Sequence, residues 1–424
     1  MSSVIVAAPP VFGETVPVLE IAAGLVARGH SVTALVGSRF AESATAAGAR
    51  FVPLPAGADF DDRQLLGANP ERLALPAGPE QFNWDLTNVF VAGMTAQHEA
   101  LQRLYDEDPD ASLLCTSLFT GMWPVALGAP GRRPRRWVSL VVAALICEDD
   151  ATTPTGPIPG LTGEEAVLAH RAANDGFHAM IEPTARAAQR QLDELGATVP
   201  MPGFYKAIYL GPDAIAVLTV PEFDFPRVNP PAGLTYAGIL PSYPGDDPRE
   251  PEWWDELDSG RPVVVVTQGT TANGDLTQLV EPTLAALADQ DVLVVAALGG
   301  RDPSAITIEP PENARVAGYV CFDDLLPKAD LLITNGGAGG TQHALAAGIP
   351  VVMCGTTEEK PMNAARVAYH RLGIDLATAT PSREQIVDAV TTILGDPTYR
   401  AAAGRLKDVY AKYDPITTVE ALLR

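Results

Sequence analysis

At 424 residues the chain is longer than a single hydrophobic core usually supports, so two domains are expected. Hydrophobic residues at 47%, with 37 Gly and 38 Pro, describe a globular protein with many tight connections and argue against disorder. A formal charge of -23, from 52 acidic against 29 basic side chains, argues against nucleic acid or an anionic membrane surface as partner, because both need a cationic face.

The chain enters on "VIVAA", which predicts a strand. No leader-like charged and apolar regions begin it, and no later apolar run reaches membrane-spanning length, so a cytoplasmic location is expected. The strand stops at a small loop, Gly13-Glu14-Thr15, before a helical pattern over 17–28 with Pro17 at its entry and Gly29 at its exit. Glu14 then stands just ahead of a helix N-terminus, where the dipole favours its ionised form and burial against a hydrophobic partner opposes it. Two readings follow for it, a plain helix cap or a base.

"SVTALVG", "RFVPL", "ASLLCT" and "RWVSLVV" are the next strands, with helices near 39–47, 94–105 and 163–195. Leu54 to Pro79 and 149–160 are aperiodic and rich in Gly, Pro, Asp or Thr; loops of this kind are where parallel folds build their sites. The second contains Asp149 and Asp150, alternative carboxylates for the role considered for Glu14. "PEFDFPRVNPPAGLTYAGILPSYPGDDPREPEWW" is proline-dense and marks an interdomain connection, with the boundary near residue 240.

The second half repeats the scheme in "RPVVVVTQ", "DVLVVAAL", "ARVAGY", "DLLITN" and "IPVVMC", near-continuous apolar runs as buried parallel strands require. After the first of these, Gly269 permits close approach and Thr270 and Thr271 offer hydroxyls and amides. The fourth ends at Thr334-Asn335 in the glycine loop of "NGGAGGTQHALAAG", with Thr341 opening a helix that closes at Gly348. Unpaired amides at a helix N-terminus suit a phosphate, and two such loops at one sheet edge suit a diphosphate. After the fifth strand, Thr357, Glu358, Glu359 and Lys360 precede another helix, where carboxylates can accept from sugar hydroxyls or simply complement the helix dipole. The four cysteines are scattered without metal or disulfide spacing, and His30, His98, His170, His178, His343 and His370 read as structural.

Together these segments resemble the donor-binding domain of the GT-B glycosyltransferases. From "GLVARGHSVTALVG" to "TTEEKPMNAARVAYHRLGIDL" nearly the whole chain is similar to the bacterial family-1 enzymes that glycosylate macrolides and aromatic polyketides. The resemblance implies an α/β, GT-B fold of two Rossmann-like doubly wound parallel-sheet domains facing a central cleft. The acceptor domain would span 1–240 and the nucleotide-sugar domain 241–400, with a helical segment over 401–424 packing back on the first. It implies that Gly337, Gly339, Gly340 and Thr341 hold the diphosphate with Gly269 and Thr270, that Val320 lies near the base, and that Glu359 and Lys360 read the sugar. Asn335 stands where relatives carry a phosphate-binding histidine, and Lys360 where they carry glutamine. Glu14 replaces the usual catalytic histidine and Thr116 its orienting aspartate.

The implied function is inverting transfer of a sugar from a UDP- or dTDP-sugar to a small hydrophobic acceptor such as a polyketide or macrolide, with no cofactor and no metal. A glycosyltransferase-like protein without transfer activity is the alternative, favoured by the missing dyad; a nucleotide-sugar epimerase of the same fold is a weaker third. The expected partners are the donor and acceptor, with no nucleic acid and no membrane span, and a homodimer is left open.

Overall fold

The computed structural model describes residues 2–65, 69–76, 78–242, 250–270 and 273–424. Thr271 and part of the proline-dense connection fall outside them. The described chain divides into two compact units: Met1–Leu218, Pro226–Leu240 and Asp414–Arg424 in the first, Thr219–Phe225 and Pro241–Tyr413 in the second.

The first unit is built on a seven-stranded parallel sheet of β1 (Ser3–Ala7), β2 (Ser31–Val36), β3 (Arg50–Pro53), β4 (Ser112–Thr116), β5 (Trp137–Val141), β6 (Ala214–Val217) and β7 (Leu234–Tyr236). Their order is β3-β2-β1-β4-β5-β6-β7. Side chains alternate across β1. Val4 and Val6 pack with Val18, Ile21 and Leu25 of α1 (Phe12–Ala27), and Ile5 and Ala7 pack with Leu101, Leu104 and Tyr105 of α2 (Met94–Glu107). Both faces of the sheet are therefore covered, which is why its strands are apolar throughout. The helical stretch expected over 163–195 is two helices, Gly163–Met180 and Glu182–Glu194, broken where Pro183 opens the second.

The second unit has a six-stranded parallel sheet of β8 (Val263–Thr267), β9 (Leu293–Ala297), β10 (Ala314–Ala317), β11 (Leu331–Thr334), β12 (Val351–Met353) and β13 (Gly373–Asp375), ordered β10-β9-β8-β11-β12-β13. Its glycine loop leads into α3 (Ala338–Ala347), and the loop after β12 into α4 (Lys360–Tyr369). Strands β6, β7 and β13 were not among the expected strands. The last two are three-residue edge strands held by one neighbour each, too short for any periodicity to register.

In each sheet the strand order reverses once, between β1 and β4 and between β8 and β11. A doubly wound sheet opens a crevice at the carboxyl ends of such a pair, so these two points are where ligands are expected. Among the described residues no helix is long and apolar enough to cross a membrane.

The chain path is interleaved. The short piece 219–225 belongs to the second unit, where the Arg366 guanidinium donates to Asp224 Oδ1 from Nη2 at 3.0 Å and from Nε at 3.3 Å, stacks 4.5 Å from the Phe225 ring, and is 3% exposed. His370 Nε2 bonds the Asp224 carbonyl at 2.9 Å. Conversely α5 (Pro415–Leu423) belongs to the first unit. Ile416 fills the space beside Gly24 of α1, and Arg28 Nη1 donates to Glu420 Oε2 at 2.8 Å. Arg28, Arg424 and His30 together hold the Glu420 carboxyl down at about 2.

Candidate functional site

At the reversal point of the second sheet, backbone meets backbone. Asn335 Nδ2 donates to the Gln268 carbonyl at 2.6 Å, tying the loop after β11 to the loop after β8. A Cβ on Gly355 would stand 1.8 Å from the Asn335 carbonyl oxygen, and one on Gly299 would stand 2.0 Å from that of Gly269, so any side chain at either position would push the loops apart. Asn363, one turn into α4, donates to the Gly336 carbonyl at 3.0 Å and Asn273 to the Leu298 carbonyl at 2.9 Å. Gly299, Gly355, Asn273 and Asn363 were not singled out from sequence. Their contacts are to residues distant in the chain, and no local pattern marks them.

Helix α3 begins at Ala338 with Gly337 as its N-cap, so its first-turn amides lie outside the intrahelical ladder. Cβ atoms at Gly337 and Gly339 would meet nothing within 4 Å, and at Gly340 only the Phe322 ring edge at 3.6 Å. Space is therefore open beside Gly337 and Gly339 at a helix end whose dipole suits an anion. Thr341 departs from its expected role. It is the fourth helical residue and fully buried, and its hydroxyl and N–H return to the Gly337 carbonyl at 2.9 and 3.2 Å, so neither is directed outward. The glycines entered the helix ahead of it because the turn closes at Gly337. Gly269 takes a left-handed φ of 71°, Thr270 is exposed, and Val320 is buried between β10 and the helix Phe322–Leu325.

Beyond β12, Lys360 is the first residue of α4 and is 5% exposed. Its Nζ donates to Thr357 Oγ1 at 3.3 Å and pairs with the Glu358 carboxylate, and Glu358 has a left-handed φ of 57°. Burial pushes the Glu359 carboxyl up, and Glu358 adds to this. Lys360 and the N–H groups of Glu359 and Ala338 pull the other way, which sets the Glu359 carboxyl beside the first residue of α3.

At the reversal point of the first sheet, α1 starts at Phe12, so Glu14 lies within its first turn and Pro17 is interior rather than at the entry. The cap is distant in sequence: Phe12 N–H donates to Asp62 Oδ2 at 2.8 Å, and Asp62 pairs with Arg39. Glu14 is 6% exposed. Its charge reaches Cys115 on β4, whose thiol is pushed up to about 12, mainly by burial, with the Trp137 N–H donation opposing. Next to Cys115, Thr116 is fully buried and its hydroxyl makes no hydrogen bond among the described residues.

The other two carboxylates considered for this role have structural work. Asp149 Oδ1 accepts from Ala151 N–H at 2.7 Å, and its Oδ2 accepts from the N–H groups of Val228 and Asn229 at 3.0 and 2.8 Å. Asp150 is held bidentately by Arg171 at 2.7 and 2.8 Å, which lowers its pKa. Both carboxylates are thus taken up in folding their own loop and its neighbour. His98 is buried and bonds the Gly121 carbonyl through Nδ1 at 3.1 Å, and its burial lowers its pKa. His170 is bonded at both ring nitrogens. All four cysteines are free.

A family profile described as "Erythromycin biosynthesis protein CIII-like, C-terminal domain" matches residues 281–423. The chain is 34% identical over 423 residues to UDP-glucosyltransferase A1 of Starmerella bombicola, covering 97% of this chain and 89% of that protein. It is 33% identical over 426 residues to 4'-demethylrebeccamycin synthase of Lentzea aerocolonigenes, covering 99% and 98%. Among solved structures it is similar to the spinosyn rhamnosyltransferase SpnG complexed with thymidine diphosphate, at a TM-score of 0.70 and 19% identity over the whole of both chains.

Proposed function

Because the chain belongs to the GT-B glycosyltransferase family of UDP-glucosyltransferase A1 and 4'-demethylrebeccamycin synthase, we propose that it is a cytoplasmic enzyme moving a sugar, with inversion, from a UDP- or dTDP-sugar to a small hydrophobic acceptor of the polyketide or macrolide kind. The observation that carries the donor half of this reading is the open space beside Gly337 and Gly339 at the start of α3, next to loops that only glycine at 299 and 355 allows to meet. The second unit holds the nucleotide diphosphate there, and the first binds the acceptor near Glu14.

In this scheme the Glu14 carboxylate takes the proton of the acceptor hydroxyl. The acceptor oxygen attacks the anomeric carbon from the face opposite the diphosphate, and the bond to the diphosphate breaks with its electron pair leaving on the phosphate oxygen. A single displacement inverts the centre. Charge builds on the diphosphate as that bond breaks, so fixed amide dipoles at α3 act most strongly in the transition state. No cofactor or metal enters the proposal.

Thermal unfolding with UDP, dTDP and their sugars, followed by product detection with candidate acceptors, tests it. A ligand at 100 times its Kd should add about 2.7 kcal/mol of stability. Failure of every nucleotide to raise Tm sinks the donor assignment. Binding without transfer to any polyketide or macrolide acceptor favours the non-transferring reading, which Thr116 in the aspartate position supports.

Glu359 is proposed to accept from sugar hydroxyls. Glu359→Ala should weaken a nucleotide sugar by roughly 10- to 100-fold and leave the free nucleotide diphosphate within about twofold. The accepting form is the ionised one, and burial raises this carboxyl. Affinity of the wild type for the sugar nucleotide should therefore fall with decreasing pH at a higher pH than for an exposed glutamate, and the mutant should lack this step. Equal losses for both ligands in isothermal titration remove the role.

A further inference from the structure

We infer that Lys360 is the cation that meets the donor's diphosphate and that Glu358 holds its place when no donor is bound. This rests on the donor-site reading above and moves Lys360 from the sugar, where the resemblance placed it, to the diphosphate. A buried ammonium must be paired, and the pairing here is with a carboxylate two residues back along the chain. That carboxylate belongs to a residue in the left-handed region, a conformation uncommon for a side-chain-bearing residue and associated with functional turns.

The root of the lysine is fixed beside the candidate phosphate loops. Its Cδ lies 2.7 Å from where a Gly355 Cβ would stand, and its Cβ lies 3.5 Å from the corresponding point on Gly336. The stem thus runs against the two glycine turns that end β11 and β12, and only the head group has a choice of partner. The loops "QGTTA" after β8 and "NGGAGG" after β11 contribute no charged side chain. Arg301, after β9, is engaged by the Asn273 and Gly274 carbonyls at 2.6 and 2.5 Å. Lys360 is the cation at these loops whose present partner is a side chain able to leave, since the Glu358 side chain is 27% exposed and the lysine side chain 6%.

A diphosphate on the α3 amides competes with the Glu358 carboxylate for that ammonium. Lys360 exchanges one oxyanion for the other, and Glu358 turns to solvent. Phosphate charge rises as the glycosidic bond breaks, so this charge-assisted hydrogen bond strengthens in the transition state, when it is most useful. Glutamine at this position could hydrogen-bond a sugar or phosphate but would not supply the charge.

The test is titration of UDP, dTDP and uridine into three variants. Lys360→Met should weaken the diphosphates by roughly 10- to 100-fold while uridine, which lacks phosphate, binds within about twofold of wild type and reports an intact base site. Lys360→Arg should recover part of the loss. Glu358→Gln removes the competing charge and should tighten the diphosphates by about threefold or more. The inference is overturned if Lys360→Met binds the diphosphates like wild type, if it loses uridine and diphosphate in equal measure, or if Glu358→Gln weakens the diphosphates. Glu358→Gln decides alone should Lys360→Met not fold. A wild type that binds uridine no more weakly than UDP or dTDP would instead overturn the phosphate-loop assignment, and this inference with it.

Discussion

Glu14→Gln is expected to cut turnover by roughly 10²- to 10⁴-fold, the usual contribution of a general base, with donor and acceptor affinities nearly unchanged. Glutamine preserves shape and hydrogen-bonding capacity but takes up no proton near neutrality. The structure removes the main competing explanation for a loss. Glu14 sits in the first turn of α1, yet the amide at the helix start is capped by Asp62, so the substitution leaves the cap in place. What remains is the dipole term, about 0.3 to 1 kcal/mol of stability, far too small to imitate a catalytic defect in folded enzyme. Turnover against pH gives an independent reading: the acid limb should report a carboxylate in the wild type and disappear in the mutant. Near-normal turnover in Glu14→Gln would move the base elsewhere. Asp149, held by three backbone amides, and Asp150, held by Arg171, are poor substitutes.

Gly339→Val should reduce binding of UDP and dTDP by on the order of 10²-fold or more, because the added side chain projects over amides proposed to face phosphate. The fold should be unharmed. A Cβ at Gly339 meets nothing within 4 Å, and valine is a better helix former than glycine by a few tenths of a kcal/mol, so Tm should hold or rise slightly. Gly355→Ala is the contrasting control. Its Cβ would stand 1.8 Å from the Asn335 carbonyl oxygen, so it should lose Tm and nucleotide binding together. Full-strength binding of UDP and dTDP by Gly339→Val would show that the phosphate lies elsewhere.

What could be read from the sequence divides along physical lines. Strands such as "VVVVT" were legible because burial on both faces writes an unbroken apolar run, and the glycine loop because its composition is local. The start of α1 was misplaced since Pro17 resembles an entry residue, whereas the true cap, Asp62, is 50 residues away. The fate of Asp149 depends on amides of Val228 and Asn229, and that of Thr341 on where the helix closes its first turn. Neither is a property of a short window. Lys360 was visible as a residue type but not as a buried ion pair, which only the packing of its stem against two glycines reveals.

The interleaved path of the chain bears on how the protein may be cut and recombined. A donor fragment beginning at Pro241 would lack 219–225, leaving the Arg366 guanidinium without the Asp224 carboxylate in a place where it is 3% exposed. Loss of one member of a buried pair costs about 3–5 kcal/mol, a large share of the stability of a domain this size. A chimera that exchanges donor specificity between relatives therefore has to take Thr219–Phe225 along with Pro241–Tyr413 and leave Asp414–Arg424 with the recipient, so the transplant has four splice points in place of one.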